Sequence, residues 1–236
     1  MPKRQVIAMG GGGFSMEPDN PLLDAYIVAQ ARKKNPAVCF FPHATDDATR
    51  YALNFYKAFS RLDARPGFLS LFTPPTADLE SFLLEQDVIY VGGGNTRSML
   101  ALWREWGLDK ILQKAYEQGV VLAGISAGAN CWFEECSTDS VPGTLGVMAC
   151  LGIIKGSFCP HYDGEPERRP SLHQFHRDGR IKPGFAADDG AAGHFVDDVF
   201  AGGVSSRPGA KVYRVYRQDG QAVEEVMATR FLGARP

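Results

Sequence analysis

The sequence predicts an α/β protein whose largely parallel sheet carries helices on both faces. Three observations lead there. Wholly apolar runs recur at Val6-Ile7-Ala8-Met9, Ala37-Val38-Cys39-Phe40-Phe41, Val88-Ile89-Tyr90-Val91 and Val120-Val121-Leu122-Ala123, and such runs suit strands buried on both faces. Stretches with apolar residues at helical spacing separate them. Glycine or proline closes the runs, where a strand hands over to a helix.

Taken in order, the first run leads into Gly10-Gly11-Gly12-Gly13 and a helix from Pro21 to Lys33. Pro42 stops the second run, and Asp46 or Asp47 caps a helix through Leu62 with Tyr51, Phe55, Ala58 and Phe59 on its inner face. Phe68 to Phe72 reads as a third strand, and Asp78 to Glu85 as a short helix. The fourth strand ends at Gly92-Gly93-Gly94-Asn95-Thr96, followed by helices over Arg97 to Trp106 and Asp109 to Gln118. The next strand enters Gly124-Ile125-Ser126-Ala127-Gly128, and Ala129 to Glu135 reads as a helix.

Beyond about residue 150 the texture changes. Leu151 to Ile154 suits a strand, His161 to Pro170 a charged loop, and Leu172 to His176 at least one helical turn. Short strands then follow at 185–187, 192–196, 199–200, 211–216 and 222–227, a pattern that predicts an antiparallel extension in the C-terminal third. Without a linker, repeat or low-complexity tract, the expectation is one domain over residues 1–236.

A formal net charge of −2 argues against a nucleic-acid footprint, and no apolar run is long enough for a bilayer. Lys3 and Arg4 precede an apolar stretch too short for a secretory leader. The cysteines, Cys39, Cys131, Cys136, Cys150 and Cys159, are odd in number and lack metal-type pair spacing. Unpaired thiols in a reducing cytoplasm follow from that. Neither a metal nor an organic cofactor is expected. The Gly10–Gly13 run lacks the register of a dinucleotide fingerprint, and no acidic residue ends the second strand.

The chemistry gathers at Ser126. A strand, a Gly-x-Ser-x-Gly and a helix make a nucleophile elbow, in which flanking glycines permit the sharp turn and helix amides favour negative charge. Chance occurrence in a glycine-rich chain is the bland alternative, and the strand before and helix after weigh against it. A base is needed, and His161 follows Cys159-Pro160 at a strand end. His43 also ends a strand; His173 and His176 suit a solvated helix, and His194 a strand. Ala127 supplies one oxyanion amide, with Gly93 or Gly94 as the second source. Asn95 either binds substrate or caps the next helix.

Val91-Gly92-Gly93-Gly94-Asn95-Thr96, Gly124-Ile125-Ser126-Ala127-Gly128-Ala129-Asn130 and Cys159-Pro160-His161 together resemble peptidase family S51. That family contains aspartyl dipeptidase (peptidase E) and cyanophycinase and has the class I glutamine amidotransferase-like fold. The resemblance implies Ser126 as nucleophile, His161 as general base, and an oxyanion hole of Gly93 or Gly94 with Ala127. For the acid it points to Asp139, in Ser137-Thr138-Asp139, with Asp163, Glu135 and Glu165 as alternatives. It further implies a short peptide as substrate, with Arg168 or Arg169 of Gly164-Glu165-Pro166-Glu167-Arg168-Arg169 meeting the carboxylate of an N-terminal acidic residue. The oligomeric state, including a homo-oligomer, stays open. Two rivals remain: an esterase of α/β-hydrolase type using Asp188 or Asp189 with His194, and a binding protein on an amidotransferase-like scaffold without activity.

Overall fold

In the computed structural model, which describes residues 2–234, the apolar runs form strands with no exposed face. The first half contains β1 (Gln5–Met9), α1 (Gly13–Met16), α2 (Leu22–Gln30), β2 (Ala37–Phe41), α3 (Ala48–Phe59) and β3 (Arg65–Phe68). Next come α4 (Leu79–Leu84), β4 (Val88–Val91), α5 (Thr96–Glu105), α6 (Leu108–Glu117), β5 (Val121–Ile125) and α7 (Ala127–Asn130). The second half adds β6 (Phe133–Val141), β7 (Thr144–Ala149), β8 (Ile154–Cys159), α8 (Arg168–Arg177), β9 (Gly184–Ala187) and β10 (Ala191–Val196). It ends with β11 (Val199–Ser205), β12 (Val212–Gln218), β13 (Gln221–Met227) and β14 (Thr229–Phe231).

Two sheets result. The larger runs β14-β11-β10-β1-β5-β4-β2-β3, and the smaller runs β13-β12-β9-β8-β6-β7. From β1 to β3 the large sheet is parallel, whereas β10 joins β1 antiparallel, so the sheet is mixed. Alternate residues of β1 enter different cores. Val6 and Ala8 pack with Trp103, Leu112 and Trp132, while Ile7 and Met9 pack with Phe14, Leu23, Phe55 and Phe59. This two-sided burial is what the uninterrupted apolar runs encode. Each fully buried aromatic or aliphatic side chain contributes about 1.5–3 kcal/mol.

Several elements differ from the sequence reading. The helix expected over Ala129 to Glu135 is a single turn, because Phe133 already belongs to β6 and pairs with Ile154 of β8. The third strand lies earlier, at Arg65–Phe68; Pro66 is tolerated there because β3 is an edge strand bonded only to β2. The strand placed at Leu151 to Ile154 begins only at Ile154 and runs to Cys159. The late strands do not simply extend one sheet: β10, β11 and β14 join the large sheet, whereas β9, β12 and β13 complete the small one.

Candidate active site

Strand register brings the site together. β1 and β5 are parallel neighbours with Met9 opposite Ile125, so Gly10 and Ser126 are the first residues past the two strand ends. β8 and β9 are likewise parallel with Cys159 opposite Ala186, which carries His161 and Asp189 out side by side. A bridge between Gly11 and Asp189 ties the two sheets. The Ser126 amide donates to the Met9 carbonyl (3.1 Å), and the His161 amide donates to the Gly10 carbonyl (3.2 Å). Nucleophile and base candidates are therefore anchored on consecutive residues.

Ser126 occupies φ 56°, ψ −114°, a region costing about 1–3 kcal/mol for a residue with a side chain. Its neighbours enforce the turn: a Cβ on Gly124 would stand 2.2 Å from the Gly128 carbonyl oxygen, and one on Gly128 2.2 Å from that of Val91. The side chain stays half-buried, with no hydrogen-bond partner among the described residues. Because α7 is one turn long, electrostatic support comes from individual amides rather than a helix dipole. The Ala127 amide has no acceptor among the described residues. The Gly93 amide, by contrast, donates to the Tyr51 hydroxyl at 3.1 Å. Gly93 itself faces the serine, since a Cβ there would lie 3.3 Å from Ser126 Cβ and 3.9 Å from its Oγ. Gly94, at φ 133°, is pressed against the Ala44 carbonyl.

His161 Nδ1–H donates to Asp189 Oδ1 at 2.7 Å, with both side chains largely buried. That bond, with the imidazole's charge, holds the Asp189 carboxyl below the usual carboxylate range against the opposing effect of burial. Asp163, two residues past the histidine, accepts the Asp189 amide at 2.8 Å and so supports the acid. The carboxylate is enclosed by two glycines: a Cβ at Gly11 would approach it to 2.0 Å and one at Gly164 to 2.3 Å. The first glycine run thus leaves room for an acid.

The other sequence candidates are engaged elsewhere. Asp139, the acid anticipated from Ser137-Thr138-Asp139, is exposed and pairs with Arg168 at 3.2 Å. Glu165 also pairs with Arg168 (2.6 Å), and Glu135 accepts the Lys182 amide. Arg168 is buried and donates to the Ser137 carbonyl as well. Arg169 is forked onto Glu224 and lies over the adjacent rings of Tyr162 (4.6 Å) and Tyr213 (4.8 Å). Asn95 caps α5 through the Ser98 amide and donates to the Ser140 carbonyl.

Nor do the remaining histidines enter: on α8, His173 meets Tyr162 and Glu224, and His176 is buried rather than solvated because it lies on the inner face of that helix beside Leu172 and Phe175. His43 donates to the Leu69 carbonyl and accepts from the Trp103 indole, and burial lowers its pKa to about 4. His194 lies on β10 between Tyr26 and Gln5, while Asp188 accepts from the Lys211 amide and the Tyr213 hydroxyl, so the pair required by the esterase rival is not formed. Asp189 carried a weak sequence signal, an acid at a strand's C-terminal end, but its proximity to His161 is set by sheet order alone. Among the described residues no cluster of metal-ligating side chains occurs, and no helix is long and apolar enough to cross a membrane.

The sequence model of peptidase family S51 matches residues 6–201. The chain is 56% identical over 230 residues to "Uncharacterized peptidase YgaJ" of Bacillus subtilis, covering 98% of this chain and all of that one. It is 26% identical to "Uncharacterized peptidase Lmo0363" of Listeria monocytogenes across 58% of this chain and 71% of the relative. The crystal structure of a peptidase from an acI-B1 Actinobacterium superimposes with a TM-score of 0.71 at 15% identity, covering 95% of this chain and 94% of that one, which extends the likeness to the fold. With matching motifs, a matching family model and a full-length relative, the chain belongs to peptidase family S51.

Proposed function

We propose that the protein is a serine peptidase of short peptides, acting through Ser126, His161 and Asp189. The observation that carries this reading is the 2.7 Å bond from His161 to Asp189 beside the strained serine turn. Ser126 Oγ attacks the scissile carbonyl as its proton passes to His161 Nε2, forming the C–O bond of a tetrahedral intermediate. Collapse breaks the C–N bond, and the departing amine takes that proton. Water, deprotonated by the same imidazole, then releases the acid and restores the serine. Asp189 remains ionised throughout, fixing the tautomer and stabilising the imidazolium. The free Ala127 amide receives part of the oxyanion charge. Apo sites commonly hold serine and imidazole loosely until substrate binds, which fits the unpartnered Ser126 hydroxyl.

Selectivity for an N-terminal acidic residue would require Arg168 or Arg169 to exchange its present carboxylates for the substrate's. Arg168 is buried behind Glu165 and Asp139, and Arg169 is clamped by Glu224 and two rings. Short peptides without an acid requirement are therefore the better-supported substrates. A fluorophosphonate probe together with a dipeptide library, run against Ser126→Ala, tests the proposal. Labelling and hydrolysis that both vanish in the variant support it, and an unlabelled Ser126 would return the protein to the class of binding proteins.

A further inference from the structure

Four of the five cysteines lie in the second half of the chain, and their surroundings differ. Cys131, at the end of α7, donates to the Gly128 carbonyl (3.2 Å), and Cys159, at the end of β8, to the Pro160 carbonyl (3.7 Å). Both are fully buried. Cys136 on β6 and Cys150, just past β7, instead bring their sulfurs within 3.4 Å of each other. Among the described residues no other two thiols are hydrogen-bonded to one another.

Strand register accounts for the contact. β6 and β7 run antiparallel with Cys136 opposite Met148, and the Cys150 amide donates to the Glu134 carbonyl at 2.9 Å. Residues two apart along a strand share a face, so Cys150 and Cys136 are diagonal neighbours on one side of the hairpin. β7 is the terminal strand of the small sheet, bonded only to β6, and is free to shift by the short distance that a bond requires. The two thiols also differ in access. Cys136 is fully buried, and the adjacent Cys150 thiol together with burial pushes its pKa up, so it keeps its proton. Cys150 is half-buried and open to solvent on one side. A reachable thiol beside a second one lets a first oxidation be resolved as a disulfide before it runs on to irreversible acids.

We propose that Cys136 and Cys150 form a reversible dithiol–disulfide site that takes a hydroperoxide as its oxidant. The Cys150 sulfur attacks the peroxide, forming an S–O bond as the O–O bond breaks, and the departing oxygen leaves as water with the thiol proton. The Cys136 sulfur then displaces the sulfenic oxygen, so that the S–S bond forms and the S–O bond breaks. The released hydroxide takes the Cys136 proton and leaves as the second water. Each sulfur is oxidised by one electron and the peroxide is reduced by two. A small thiol reverses the change by exchange. The bond ties edge strand β7 to β6, the strand that leaves the serine turn through α7. The site is independent of the serine-peptidase reading.

The test treats the intact, reduced protein with hydrogen peroxide, removes the oxidant with catalase and alkylates the remaining thiols in denaturant. Alkyl groups counted by mass should fall by two from the five of the reduced chain, and dithiothreitol should restore both. Cleavage after Glu135 and Lys155 isolates residues 136–155, whose only cysteines are Cys136 and Cys150. That fragment should emerge without alkyl groups and lighter by two hydrogens. Cys150→Ala, checked for folding by its melting temperature, should keep all its thiols at the same dose. Were that variant to fold poorly, the wild-type fragment decides the matter alone. Five alkyl groups after peroxide, a bond that reaches Cys131 or Cys159, or a loss that dithiothreitol does not restore each overturns the site.

Discussion

His161 and Asp189, 28 positions apart, meet through a 2.7 Å hydrogen bond because β8 and β9 are parallel neighbours that end in register. The consequence is a histidine with one nitrogen fixed by a carboxylate and the other left for chemistry.

Replacing Asp189 with Asn should therefore lower kcat by about 10³–10⁴-fold, since an amide cannot stabilise the imidazolium and favours the wrong tautomer. Asp139→Asn should stay within a few-fold of wild type, because that residue meets Arg168 at the surface. Steady-state hydrolysis and the rate of fluorophosphonate labelling measure both variants. A silent Asp189→Asn paired with an inactive Asp139→Asn would restore the acid inferred from sequence.

The contrast between these acids marks what the chain reveals by itself. Ser126 and His161 are legible because each ends a local signal, an elbow and a strand terminus. β1, β2, β4 and β5 are legible because burial on both faces demands an unbroken apolar run. Asp189 depends on which strand lies beside β8, a fact of tertiary topology with no local trace. The glycines at 11 and 164 serve a carboxylate that comes from another element. Cys131 to Glu135 reads equally well as helix or strand, and pairing of Phe133 with Ile154 decides it.

Gly128→Ala should destabilise the protein while leaving the proposed catalytic groups chemically intact. The added methyl would stand 2.2 Å from the Val91 carbonyl oxygen and 2.6 Å from its carbon, both backbone atoms of a central strand. Relieving this moves α7 away from β4, at a cost of about 1–3 kcal/mol or more. Denaturant melts should show a lower midpoint, and activity should fall because Ser126 and Ala127 shift with the turn. A midpoint equal to wild type would mean that the crossing is looser than the structure indicates.

Arg169→Ala should weaken stability more than it changes substrate binding. The guanidinium bridges Glu224 and two tyrosine rings, and loss of such contacts on a half-exposed side chain is worth about 1 kcal/mol. KM for peptides with acidic and with neutral N-termini should move together. A rise confined to acidic substrates would establish the carboxylate-binding role suggested by the family resemblance.

Acid should begin to weaken the protein above the range in which most carboxylates titrate. Burial lowers the pKa of His43, His176 and His194 to about 4. In the unfolded chain each binds its proton near 6.5, so the unfolded state gains protons first as pH falls. Their stabilising contribution is complete above pH 6.5 and is lost progressively between 6.5 and 4. For each residue the loss is about 3 kcal/mol at the acid end, and Asp24, whose pKa burial raises to about 7, offsets part of the total because it takes up its proton first in the folded state. Urea melts at pH 7.5 and 4.5 should show this fall, and His43→Gln should reduce the difference between the two by removing one titrating group. Equal pH dependence in wild type and His43→Gln would mean that the Trp103–His43–Leu69 chain tolerates a charged ring.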